Sequence, residues 1–174
     1  MCFILFMKYT YDLIIRLFLC LISLDIFYLI FTPLTVYTSY FFLLSLEPSV
    51  VDGIKLVIQG QVFNITEACV AGFAYYLFFL LTMLTKDIQR IRFIIFGFGL
   101  IFLMNVLRII LLVYIYHFYG AEYFEMLHLL FWRFISGIYV ALVWIFLVKR
   151  YKVKSIPIYD DLKYLYERSF FKKN

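Results

Sequence analysis

The chain has 174 residues, 66% of them hydrophobic, 23% aromatic and only 16% charged. Soluble domains are closer to half apolar and a quarter charged, and a chain this short has too little interior to hide the excess from water. A soluble globular protein is therefore excluded, and the net charge of +5 is no argument for nucleic-acid binding, because cations on membrane proteins gather at the cytoplasmic side.

In chain order, Met1 to Met7 is apolar and Lys8 follows it. A cleaved signal peptide has its cations first and a small-residue cleavage site last, so the first long apolar run, about 13–31, reads as a retained span. Next comes TPLTVYTSYFFLLSL, residues 32–46. Pro33 disfavours continuing the first helix, and the run is short for a span of its own. Three further windows are long enough to cross the hydrocarbon: about 67–85, 93–116 and 126–148. Before the second of the four windows, IKLVI and QVFNI flank Gln59-Gly60 and read as a small β-hairpin. The tail from Ser155 to Asn174 mixes charges and aromatics and ends in Lys172-Lys173.

Charge sets the sidedness. Lys86, Arg90 and Arg92 lie between the second and third windows, and Lys149, Arg150, Lys152 and Lys154 follow the fourth; both stretches should be cytoplasmic. The loops 47–66 and 117–125 then face outward. If 32–46 crossed the membrane, Lys8 and Arg16 would be stranded outside, so residues 34–46 are expected to lie in the outer interface. The expected fold is an all-α integral membrane protein of about four transmembrane helices, with an interfacial helix and a small extracytoplasmic β-hairpin. One membrane domain spans 1–154, with both termini cytoplasmic and 155–174 a short basic tail. The location is a plasma membrane.

Ionisable residues inside spans are costly and are paired or functional by default. Here they are Asp25, Arg108, His128 and Arg133, with Glu67 and Cys69 at the mouth of the second span. Cys69, Arg108 and His128 come from three different spans at a shallow outer depth. A thiolate is favoured at a helix start or beside a cation, a histidine carries protons, and a permanently charged arginine stabilises an oxyanion. Such a trio suits acyl transfer from a peptide or ester carbonyl. The plainer readings stand beside it: Cys69 as a small packing residue, His128 as an interfacial cap, Glu67 as a carboxylate favoured by the helix dipole. His117, nine residues after Arg108, points to the opposite helix face. Arg133 lies about 140° round from His128 and is expected to be structural, paired with Asp25; an Asp25–Arg108 pair competes.

Cys2, Cys20 and Cys69 show neither CxxC nor Cys/His metal spacing, so no disulfide framework or zinc site is expected, and the chemistry calls for no cofactor. A reading from another class is a non-catalytic membrane subunit, such as a transporter's substrate-binding component, with Arg108 and Glu67 holding a polar ligand.

The string EAC, then NVLR, then a histidine opening the last core helix resembles the archaeosortase/exosortase family of membrane-embedded cysteine transpeptidases. The similarity covers roughly residues 28–148 and includes FTPLT, LVIQGQVFNI and NVLRIILLVYIY…GAEYFEMLH. It implies Cys69 as nucleophile, Arg108 as transition-state stabiliser and His128 as proton carrier, with Glu67 and Asn105 as candidates for orienting them or binding substrate. It also implies a partner: the C-terminal sorting signal of an exported protein, made of a short motif, a transmembrane helix and a basic cluster. The product passes in some members to a lipid or another acceptor. The 54–65 hairpin is a candidate to hold the motif by strand addition. The family usually has Ser or Thr and then Gly after the cysteine; here Val70 and Ala71 precede Gly72.

Overall fold

A computed structural model describes residues 2–44, 49–58, 61–86 and 88–168. Helix α1 (Cys2–Leu19) is followed by α2 (Leu24–Leu44), then a sheet of β1 (Ser49–Asp52), β2 (Lys55–Ile58) and β3 (Gln61–Asn64). Then come the short α3 (Glu67–Val70), α4 (Gly72–Met83) and the 30-residue α5 (Arg90–Tyr119). A last long rod is built from α6 (Ala121–Leu130), a π-helical turn (Phe131–Ile135) and α7 (Ser136–Arg150), and α8 (Tyr159–Arg168) closes the described chain. The molecule is an all-α membrane protein. Among the described residues, three rods are long and apolar enough to cross a bilayer: Leu24–Leu44, Arg90–Tyr119 and Ala121–Arg150. The expected 67–85 window is present as α3 and α4, broken at Ala71; α4, at 12 residues, is short for a crossing by itself.

The beginning of the chain departs from the expectation. Among the described residues there is no single span over 13–31 and no separate interfacial helix over 34–44. The break falls at residues 20–23, where Ser23 takes the N-cap position of α2: its hydroxyl accepts from the Asp25 backbone N–H at 3.2 Å and donates to the Asp25 carboxylate at 2.8 Å. Pro33 sits inside α2, which runs through it. Proline removes one ladder hydrogen bond, a loss that membrane helices tolerate when their neighbours pack well. Packing here is dense. Phe31 stacks on Tyr75 at 3.7 Å and 4°, and Phe27, Phe78, Phe93, Phe98 and Trp144 extend the aromatic core through α2, α4, α5 and α7. Gly97 makes room for it, since a Cβ there would lie 2.1 Å from the Phe78 ring. The opposite faces are apolar and bare: Leu29 is 77% exposed and Ile95 65%, as lipid-facing surfaces require.

Helices α1 and α8 meet at the end of the bundle that holds the 84–90 connection. Arg16, 2% exposed, makes a two-pronged ion pair with Asp161 at 2.9 and 3.0 Å and reaches the Met83 carbonyl. The Tyr9 hydroxyl also donates to Asp161, Arg90 contacts Asp12 at 3.4 Å, and the Ile158 N–H donates to the Leu84 carbonyl. Arg16, expected to be a simple loop cation, is thus a buried structural one. The tail forms α8 and docks; Lys172-Lys173 lies outside the described residues. Asp25 lies in the first turn of α2, bonded to its capping Ser23. Among the described residues it makes an ion pair with neither Arg133 nor Arg108, so both expected pairings are absent.

At the other end the sheet is antiparallel in the order β1-β2-β3, with Ile58 opposite Gln61 and Lys55 opposite Asn64. The expected pair of runs is present with β1 added; the Gln59-Gly60 turn itself lies outside the described residues. β1 rests on α2, and Phe63 of β3 packs edge-on against Tyr116 at 4.9 Å.

Candidate active site

Cys69 is the third residue of α3, a single helical turn that Thr66 begins in extended conformation and Ala71 ends in the left-handed region, at φ 58° and ψ 31°. A turn that short leaves its carbonyls unpaired. Helix α5 supplies the donors. Arg108 Nη2 donates to the Ala68 carbonyl at 2.8 Å and the Cys69 carbonyl at 3.0 Å, and Asn105 Nδ2 donates to the Val70 carbonyl at 3.2 Å. Two polar residues one turn apart on α5 therefore hold three successive carbonyls of the cysteine's own turn. Both are buried, at 6% and 4% exposure. Arg108 Nη1 lies 3.4 Å from Ser136 Oγ, while its Nε–H has no partner among the described residues.

The thiol side of α3 opens on a cavity of about 220 Å³ lined by Cys69, His128, Asn64, Ile109 and Glu125, among others. His128 stacks on Phe124, with ring centroids 5.8 Å apart and 13° between planes, and its Nδ1 is buried without a hydrogen-bond partner among the described residues. An imidazole and a thiol thus share one half-enclosed space, floored by apolar side chains, with a guanidinium immediately beneath the thiol's backbone. A thiol and an imidazole therefore line one cavity, and a fixed positive charge is bonded to the carbonyls of the thiol's own turn; these are groups of the kinds that acyl transfer uses. Among the described residues, no three His, Cys, Asp or Glu side chains converge as a metal-binding group.

Of the sequence candidates, Cys69, Arg108, Asn105 and His128 come together. Glu67 does not join them. It faces a separate cleft of about 130 Å³ with Tyr28, Trp132 and Arg133, and makes no hydrogen bond to His128 or Arg108. His117 is exposed at the far end of α5, on another side from buried Arg108, as its spacing implied.

Two participants are not evident from the sequence. The Thr66 hydroxyl lies 3.6 Å from Cys69 Sγ, supplying from before the cysteine the hydroxyl that the family usually carries after it. The signal that could have found Thr66 is its place just before the start of α3, where hydroxyl residues are favoured, although its hydroxyl makes no capping bond there. Ser136 was not legible. Eight residues after His128, it would stand about 80° away on a plain α-helix. The π-helical turn accommodates about one extra residue, so the offset falls to that of seven residues, about 20°. Ser136 Oγ then donates to the Phe131 carbonyl at 2.8 Å and accepts from Arg108. Ala71 holds a left-handed conformation that glycine adopts freely. Gly72, the next residue, is fixed by space instead, as a Cβ there would lie 2.4 Å from the Tyr28 ring.

The family described as transmembrane exosortase matches residues 4–149, most of the chain. No curated protein and no solved structure matches.

Proposed function

Because the chain belongs to the transmembrane exosortase family, we propose that it is a membrane cysteine transpeptidase or protease that cleaves the C-terminal sorting signals of exported proteins. The observation that carries this reading is the shared cavity of Cys69 and His128 above an arginine that grips the carbonyls of Ala68 and Cys69. The basic end of the bundle, with Lys86, Arg90, Arg92, Lys149 and Arg150, faces the cytoplasm, and the sheet end faces outward. Both α1 and α8 then lie on the cytoplasmic side. A signal helix arrives laterally through lipid and leaves its scissile peptide at the depth of Cys69.

His128 takes the Cys69 thiol proton, the resulting thiolate attacks the scissile carbonyl carbon, and the carbonyl π electrons move to oxygen. Arg108 stabilises that oxyanion; its unpaired Nε–H and fixed charge lie beside the nucleophile's turn. The C–N bond then breaks as His128 gives its proton to the departing amine, leaving a thioester on Sγ. An acceptor amine, carried by a lipid or another molecule, or water attacks the thioester carbon, the C–S bond breaks to return Cys69 as thiolate, and His128 takes the proton that this nucleophile loses. Thr66 keeps a hydrogen-bonding hydroxyl near sulfur throughout.

The test is co-expression with a reporter ending in a signal from an exported protein of the same genome: motif, transmembrane helix and Lys/Arg cluster. Cys69→Ala should insert and fold normally yet leave the reporter uncut, and external thiol reagents should label wild-type Cys69 faster than His128→Ala. Undiminished cleavage by Cys69→Ala would refute the assignment.

A further inference from the structure

Among the described residues, the β3 edge of the sheet is open, and its position gives the signal peptide a direction. β1 is covered by α2, whereas β3 borders the Cys69 cavity. The Ile65 N–H donates to the Ile54 carbonyl at 3.0 Å, in the same register as Ile58 opposite Gln61 and Lys55 opposite Asn64. Antiparallel strands alternate between residues that bond inward to the partner and residues that bond outward. Phe63 and Gln61 therefore bond toward β2. Val62 and Asn64 turn their N–H and C=O groups outward, where they have no partner among the described residues. Val62 is 54% exposed and Asn64 is exposed.

The trough beside this edge extends beyond the catalytic cavity. A second cavity of about 320 Å³ shares Gln61, Phe63, Val113 and Tyr116 with the first. The Tyr116 hydroxyl lies 3.3 Å from Gln61 Oε1, so Gln61 stands level with Tyr116, while Cys69 stands level with Arg108. Those two levels on α5 are eight residues apart, a rise of about 12 Å. β3 thus descends from its outer residue, Gln61, toward the nucleophile.

We propose that the segment just upstream of the scissile bond binds as a fourth strand, parallel to β3, with its backbone bonded to Val62 and Asn64. This rests on the cleavage reading above and specifies its substrate mode. A sorting signal has its exported part before the cut and its membrane helix after it, so its chain runs inward in the N-to-C direction, as β3 does. Four residues of β3 match about 13 Å of extended peptide, that is, about four substrate residues. Because strand side chains alternate, every second one faces the trough and the intervening ones face away. Backbone bonding also tolerates varied side chains at the outward positions.

Two measurements test this. First, the Cys69→Ala protein with Cys2→Ser and Cys20→Ser carries either Gln61→Cys or Asn64→Cys, and the reporter carries one cysteine at successive positions before the cut. Oxidation should join Asn64→Cys to positions near the cut and Gln61→Cys to positions farther upstream. The reverse order, or no joining at either site although the reporter co-purifies, overturns the proposal. This readout needs no turnover, so it stands apart from a failure of the catalytic assignment. Second, wild-type protein is given synthetic signals N-methylated at single upstream residues. Cleavage should fall about tenfold at alternate positions, the effect of losing one hydrogen bond; uniform tolerance refutes strand addition.

Discussion

Asp161→Asn probes the joint between the two ends of the chain. Arg16 and Asp161 have side-chain exposures of 3% and 8% and share two hydrogen bonds of 2.9 and 3.0 Å. Removing one member of a buried pair costs about 3–5 kcal/mol when the other charge is left without compensation. Here Arg16 Nε retains Asp12 at 3.0 Å, and Asp12 is about half exposed, so the expected loss is smaller, about 2–3 kcal/mol. Replacing both partners, Arg16→Met with Asp161→Leu, should recover most of it.

The pH dependence has a definite sign. Burial pushes the Asp161 carboxyl up, but hydrogen bonds from Arg16 and Tyr9 and the charges of Arg16 and Lys86 outweigh it and hold it below its usual value. A depressed carboxyl contributes stability above its unfolded value, about 3.9, and loses it as pH falls through the folded value. The gap between wild type and Asp161→Asn should therefore persist at neutral pH and close below about pH 4. Thermal unfolding of the detergent-solubilised protein reads the stability, and amide exchange in α1 and α8 reads the local undocking. Cys69 labelling should not change, because the 12-residue α4 separates the two places by about 18 Å. A variant within 0.5 kcal/mol of wild type, or a double variant no better than the single one, would refute the argument.

Arg108→Lys should keep the protein folded but cut reporter cleavage by about a hundredfold or more, since one ammonium cannot reproduce a fork spanning two carbonyls and Ser136; activity within twofold of wild type would mean that charge alone suffices. At Ala71, the left-handed backbone costs an alanine about 1–2 kcal/mol, partly offset by glycine's entropy of about 0.5–1 kcal/mol. Ala71→Gly should thus gain about 0.5 kcal/mol and Ala71→Val should lose more than 1 kcal/mol in thermal unfolding; equal stabilities would contradict the observed turn.

Composition and residue spacing determined a good deal. The apolar excess required lipid-facing rods, because no chain of this length can bury it, and the 3.6-residue period put Arg108 and His117 on different faces of one helix. The ionisable residues within apolar windows singled out Arg108 and His128, with Cys69 and Glu67 at a helix mouth and Asp25 and Arg133 beside them, since lipid tolerates such groups only when something holds them; Asn105 entered only with the family resemblance.

Other features depended on contacts between distant segments. Pro33 lies inside α2 because aromatic packing with α4 and α5 outweighs a lost ladder bond, while a capping serine at position 23 places the break earlier. Arg16 is buried because Asp161, 145 residues away, folds back to meet it. Ser136 reaches Arg108 only through a π-helical turn that sequence periodicity does not encode, and Glu67 faces the other side of the short helix that bears Cys69. Local sequence sets which groups must be satisfied; the packed bundle alone determines which partners satisfy them.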